Sequence, residues 1–174
     1  MRECGECGEC CFSMAIVELE KPARTECEHF CGGCEIYQDR PKSCADWNCL
    51  WIKGHLPLSQ RPDRTKIVFY LPDDFVSKRW NSRLVMAQES KKSAHKMPGP
   101  SKAIRRLFRD GNNIMIIRHD GGRTLHLHRA WLAKVLAESR RYDITPSRNG
   151  SVVEFSPEEA ERIWERSVKP REPN

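Results

Sequence analysis

The sequence predicts an α+β protein in which a cysteine-rich metal-binding N-terminal region packs on a small sheet-and-helix region. Three observations carry that prediction. All nine cysteines fall within the first 49 of 174 residues. After residue 58, strand-like and helix-like stretches alternate, as in mixed folds whose strands and helices share one core. Two apolar runs flank Gly121-Gly122, the clearest hairpin signal in the chain.

Composition narrows the class. An apolar content of 39% with 31% charge suits a soluble globular chain. No apolar run approaches the roughly 18 residues of a membrane helix, and Met1-Arg2-Glu3-Cys4 carries no secretory apolar segment. The expected location is therefore the cytoplasm, with no membrane partner. In a reducing cytosol thiolates persist, and nine is an odd number, so metal ligation is favoured over a disulfide scaffold. Charge divides unevenly: residues 1–58 carry six Lys and Arg against ten Asp and Glu, and residues 59–174 carry 24 against 14. Two regions follow, a cysteine-cluster region over 1–58 and a basic α+β region over 59–174.

Taken in order, residues 1–11 read as loop, with Gly5 and Gly8 where the chain needs unusual backbone angles and close approach. Phe12 to Leu19 is a short β-capable run ended by Pro22. Pro41 can open a short helix, on which Cys44, Trp47 and Trp51 would share a face while Cys49 pointed elsewhere; two ligand directions or a broken helix result. Both tryptophans are expected to be apolar cover over the site. Residues 56–64 read as a proline-rich connection. Lys66 to Leu71 and Arg83 to Gln88 are strands, residues 89–102 a mobile polar loop, and Ser101 to Arg109 a helix with Ile104, Leu107 and Phe108 inward. With a two-residue turn at Gly121-Gly122, Ile114, Ile116, Leu125 and Leu127 would face one way and Met115, Ile117, His119, His126 and His128 the other. Residues 130–141 read as helix, 152–155 as strand, and Ser156-Pro157 opens a last helix to about Ser167, with a frayed tail from Lys169.

Nine clustered sulfurs exceed the four ligands of one structural zinc or one iron-sulfur cluster; eight would serve two four-coordinate centres. Adjacent Cys10 and Cys11, in an extended segment, would point to opposite sides and so serve different metals or bridge two. The spacing Cys4, Cys7, Cys10 suits zinc or a 4Fe-4S cluster equally. A thioredoxin-like dithiol is disfavoured, since no βαβ unit surrounds a C-x-x-C. Cys31 is the expected unligated thiol. His29 and His55 are near enough in sequence to be substitute ligands.

The order C-x2-C-x2-C-C, then Cys27 and Cys34, then Ile36-Tyr37 and Arg40-Pro41 ahead of Cys44 and Cys49, resembles the YkgJ-family cysteine cluster proteins, the CxxCxxCC zinc- or iron-chelating domain. The resemblance covers about 52 residues, and Arg61-Pro62-Asp63-Arg64-Thr65 with the strand after it is similar to one subgroup's continuation. It implies a ligand set of Cys4, Cys7, Cys10, Cys11, Cys27, Cys34, Cys44 and Cys49. Cys31 departs from the pattern, as does Ala45 where the resemblance implies an arginine, which leaves the charge partner of the sulfurs unassigned. A related module occurs in flagellin lysine methylases, which keeps protein modification open.

The leading function is therefore coordination of zinc or an iron-sulfur centre by eight thiolates. The alternatives are an iron-sulfur-dependent redox or protein-modifying enzyme, with a protein partner, and a nucleic-acid-binding module using basic clusters at Arg105-Arg106, Arg109 and Arg140-Arg141-Tyr142. His119, His126 and His128 form a further candidate metal trio. No phosphate-cradling glycine loop, dinucleotide fingerprint or serine nucleophile motif occurs, so ATP- or NAD-dependent chemistry has no support.

Overall fold

The structure, a computed structural model, describes residues 2–72, 83–141 and 143–168, with side chains described to residue 163. The protein is α+β. Its strands are β1 (Ile67–Tyr70), β2 (Leu84–Glu89), β3 (Asn113–Ile117), β4 (Arg123–His126), β5 (Ser147–Asn149) and β6 (Val152–Phe155), in the sheet order β1-β2-β3-β4-β6-β5. All neighbours are antiparallel except β2 and β3. Parallel neighbours require a crossover, and here it contains helix α4 (Pro98–Arg109). Its early prolines fall in the first turn, where a missing N–H leaves no bond unmade. The remaining helices are α1 (Glu9–Ser13), α2 (Lys42–Asp46), α3 (Pro62–Thr65), α5 (Arg129–Arg140) and α6 (Pro157–Val168). Ser156 caps α6 reciprocally: its N–H donates to Glu159 Oε2 at 2.8 Å, and its Oγ accepts from the Glu159 N–H at 3.2 Å.

Two apolar clusters pack on the sheet, and the first reaches both faces, because Val68 shares a face with Gln88 and Met86 while Val85 and Ile114 lie on the other. The first joins Val68, Val85 and Ile114 to Ile104 and Leu107 of α4 and to Leu50, Trp51, Ile52 and Leu56. The other joins Leu125, Leu127, Val153 and Phe155 to Trp131, Leu132 and Ile163 of α5 and α6. Residues on both sides of position 58 thus share the first core. Polar ties run alongside it. The Leu50 N–H donates to the Phe69 carbonyl at 2.8 Å, Lys66 Nζ meets Glu9 Oε1 at 2.6 Å, and Arg24 Nη2 donates to the Arg118 carbonyl at 3.0 Å.

Several expectations are corrected. Residues 9–13 form α1 instead of loop and the start of a β-run. The run Phe12 to Leu19 continues as a 3-10 turn over Val17–Leu19, and its one strand-like contact is an isolated bridge between Ile16 and Lys21. β-propensity is expressed only where a partner strand accepts the ladder, and no described strand pairs with this run. The polar loop expected over 89–102 contains a 3-10 turn, Ala94–Lys96, and the first turns of α4. The hairpin register also differs. Ile117 pairs with Arg123 across a five-residue turn, so Ile114 opposes His126 and Met115 opposes Leu125. An odd offset in register turns every side chain of one strand to the other face, so Leu125 and Leu127 lie with Met115, not with Ile114 and Ile116. The tail from Lys169 lies outside the described residues.

Candidate metal centre

The N-terminal region wraps a cavity of about 360 Å³ whose lining includes Cys4, Cys7, Cys10, Cys11, Cys27, Cys34, Cys44 and Cys49. Cys31 does not line it and is exposed. Four short pieces of chain bring these sulfurs to one space. Gly5, at φ +52°, turns the chain between Cys4 and Cys7. α1 presents Cys10 and Cys11 side by side, because consecutive helical residues are about 100° apart instead of opposed; the expectation that an extended segment would separate them is corrected accordingly. The 27–34 loop closes through a bridge between Phe30 and Cys34. α2 carries Cys44 and stops at Trp47, whose extended backbone turns Cys49 back toward the sheet, so the broken-helix alternative is the observed one. Glu18 satisfies the start of α2, accepting from Ser43 N–H at 3.0 Å and Ser43 Oγ at 2.7 Å.

Trp47 and Trp51 line the cavity with Ile16, Phe30 and Val68, so the sulfurs border an apolar space. Arg2 anchors the first segment of that wall. Its Nη1 donates to the carbonyls of Trp51 and Leu56 at 2.9 and 2.6 Å, and its guanidinium lies 5.1 Å from the Trp51 ring centre.

Charge in the site is ordered. The Cys10 thiol is within hydrogen-bonding reach of Cys4 and of Cys11, and this sharing holds both neighbours down at about 7 while Cys10 itself is pushed up. Arg40 and Arg61 further favour the thiolate at Cys4, and Lys21 favours it at Cys11. Burial pushes Cys7 up to about 11 and raises Cys34, Cys44 and Cys49. Lys21 is buried, with Nζ donating to the carbonyls of Met14 at 2.6 Å and Pro22 at 2.9 Å. Burial lowers its pKa against the opposing pull of Cys27, Cys11, Cys44 and Cys10. Lys21, a cation from another part of the chain, is thus within electrostatic reach of four of the sulfurs, although it does not line the cavity. Sequence reasoning missed it because one lysine in a polar stretch carries no pattern. Arg40, which lines the cavity and stacks 4.0 Å from the Tyr37 ring centre, was signalled by its place in the Arg40-Pro41 pair.

Among the described residues, no three His, Cys, Asp or Glu side chains are already grouped as the ligands of one ion. The eight thiols share a cavity, with Cys10 in contact with Cys4 and Cys11. His29 and His55 do not line it. The trio His119, His126 and His128 is divided: His128 stacks on Phe108 at 4.2 Å with His126 at that ring's edge, while His119 lines a separate cleft. Arg105 and Arg106 lie exposed on α4, Arg140 and Arg141 at the end of α5; Tyr142 lies outside the described residues. No described helix is long and apolar enough to cross a membrane. No family model, curated protein or solved structure matches the chain.

Proposed function

We propose that the chain binds metal, as zinc or an iron-sulfur centre, through the thiolates of Cys4, Cys7, Cys10, Cys11, Cys27, Cys34, Cys44 and Cys49. The observation supporting this reading is that eight cysteines separated by up to 45 positions line one cavity while Cys31 stays outside. Soft sulfur donors select zinc and iron-sulfur centres over hard oxygen-seeking cations, so the donor set fits. Lys21 and Arg40 offset the negative charge that thiolates bring into a partly apolar space. Zinc would supply a structural crosslink, and an iron-sulfur centre would supply electron transfer.

The residues of the chain do the remaining work. Trp47, Trp51 and Phe30 exclude water from the sulfurs, Arg2 holds the first cysteine segment against the core, and Glu18 fixes the helix that carries Cys44. The resemblance to YkgJ-family cysteine cluster proteins points the same way. Elemental analysis with acid-labile sulfide and a visible spectrum, on protein purified anaerobically without a metal-affinity tag, tests the reading. Either about two zinc per chain without sulfide, or iron with sulfide, is expected from eight thiolates. Protein that holds neither metal and takes up neither on reconstitution would refute it.

A further inference from the structure

Helix α4 carries its charge in one stripe. Lys102, Arg105, Arg106 and Arg109 recur at separations of three and four residues and are all exposed, on the side opposite Ala103, Ile104 and Leu107, which are buried. Along the axis the stripe is roughly 10 Å long, at about 1.5 Å per residue. Helix stability does not account for it. The four residues form four like-charged pairs at separations of three or four, and each such pair destabilises a helix. The macrodipole favours cations in the last turn, which covers Arg106 and Arg109 but not Lys102.

Nor is the charge neutralised within the protein. Arg105 Nη1 donates to the neutral Ser101 Oγ at 2.8 Å, and Arg106 meets Asp110 at 3.8 Å with both side chains more than half exposed, a pairing that water largely screens. Lys102 and Arg109 have no ion-pair partner among the described residues. No Asp or Glu occurs between residues 90 and 109. None occurs either in the 50–62 segment, which packs beside α4 through Leu50, Ile52 and Leu56 and places Gln60 against Gly99. The basic pair at the end of α5 differs, since Arg141 faces Glu138 at 3.5 Å.

A row of guanidinium groups free of carboxylates suits a row of phosphates. The apolar side of α4 is spent in the core, so the helix has no hydrophobic face to sink into a bilayer. Tyr37, the one exposed aromatic side chain among the described residues, lies in the cysteine region under Arg40, so α4 offers no stacking platform for single-stranded bases. A convex helix fits the major groove of B-form DNA, about 12 Å wide, and not the deep, narrow one of duplex RNA.

We propose that the outward face of α4 binds double-stranded DNA through its phosphate backbone, without sequence preference, with Lys102, Arg105, Arg106 and Arg109 reaching the phosphates that flank the major groove. The surface is independent of the cysteine cavity and of what that cavity holds.

Fluorescence anisotropy of a short labelled DNA duplex of mixed sequence, titrated with the full chain at several salt concentrations, tests this. Binding at low salt is expected, with log affinity falling against log salt at about −0.9 per phosphate contacted, or about −3.6 for four. Arg105→Gln/Arg106→Gln/Arg109→Gln, at three exposed positions, should weaken binding by on the order of tenfold or more and leave a slope of about −0.9. Lys102→Gln alone should reduce the slope by about one. Arg140→Gln/Arg141→Gln should change neither affinity nor slope, and a duplex of different sequence should bind equally. No binding at low salt, equal loss in the α4 and α5 variants, or a triple variant that binds like the parent would overturn the proposal. Tighter binding to a single strand, to duplex RNA, to anionic vesicles or to polyglutamate would assign the face to that partner and overturn it equally.

Discussion

The ring of Phe30 lies against the backbone of Gly8, so closely that a Cβ on Gly8 would stand 2.2 Å from Phe30 Cζ. Gly8 has φ −97°, which any residue adopts, so the requirement for glycine here is space and not backbone freedom. This contact joins the segment that begins α1 to the 27–34 loop, and with them Cys7 and Cys10 to Cys27 and Cys34. Gly8→Ala should therefore destabilise the protein by about 1–3 kcal/mol, the usual cost of overpacking. Gly8→Ala/Phe30→Ala should cost less than the sum of the two single changes, because the ring that clashes is gone. Urea midpoints for the parent, both singles and the double check this; additivity would mean that the two groups do not meet.

The exclusion of Cys31 from the cavity sets it apart in position from the other eight cysteines. Cys31→Ser should leave metal content unchanged. Cys10→Ser, at the sulfur placed between Cys4 and Cys11, should reduce it. Metal-to-protein ratios after identical anaerobic purification decide the matter, and loss of metal from Cys31→Ser would redraw the ligand set.

Lys21 interacts electrostatically with Cys27, Cys11, Cys44 and Cys10, and its ammonium also satisfies backbone carbonyls around α1. A neighbouring cation favours the thiolate, so removing it must move thiol ionisation to higher pH. Lys21→Met should delay the rise of ultraviolet thiolate absorbance on alkaline titration of metal-free protein. It should also cost about 1–3 kcal/mol, because buried carbonyls lose a charged donor. Unchanged titration would show that Lys21 serves the backbone alone.

Glu89 yields a prediction on the acid side. Burial works to raise its pKa, but the hydrogen bonds from the His95 ring and from the His95 and His119 N–H groups outweigh it and hold Glu89 below its ordinary 4.5. A carboxylate depressed in the folded state contributes stability that is present above the unfolded pKa and is lost as pH falls through the folded one. Glu89→Gln should thus lower stability at neutral pH by about 1.5–3 kcal/mol, and its stability should fall less steeply than the parent's from about pH 5 downward. Denaturation series across that range measure both effects; parallel curves for the two proteins would remove Glu89 from the account.

What could be read from the chain beforehand follows physical lines. Ile67 to Tyr70 is legible as a strand because apolar and aromatic residues run without interruption between breakers. The convergence of the cysteines is legible because their clustering needs a common cause. The hairpin at Gly121-Gly122 is legible as a turn but not in register: Gly121, at φ +96°, marks where the chain reverses and does not state how many residues the reversal takes. α1 has five residues, fewer than two turns, so no helical period exists to detect, and without it the placement of Cys10 relative to Cys11 inverts. Lys21 among the sulfurs and His95 against Glu89 arise from packing between segments. Neither leaves a local pattern.

The shared core decides what metal removal does. A region of 58 residues has too little apolar area to stand alone, so ligation is expected to hold residues 2–48 in place. Leu50, Trp51, Ile52 and Leu56, however, pack with Val68, Val85 and Ile114 in the sheet's own cluster, and the Leu50 N–H is bonded to Phe69. Chelation under reducing conditions should therefore unfasten the chain as far as Cys49 and stop there. In hydrogen exchange, amides of α1, the 27–34 loop and α2 should lose protection, while Leu50 and the β3 amides of Ile114 to Ile117 keep theirs. Loss of protection throughout the sheet would make the whole chain one cooperative unit. Retained protection in α1 and α2 would show that packing alone, with Arg2 and Lys21 as its polar anchors, holds the cysteine region together.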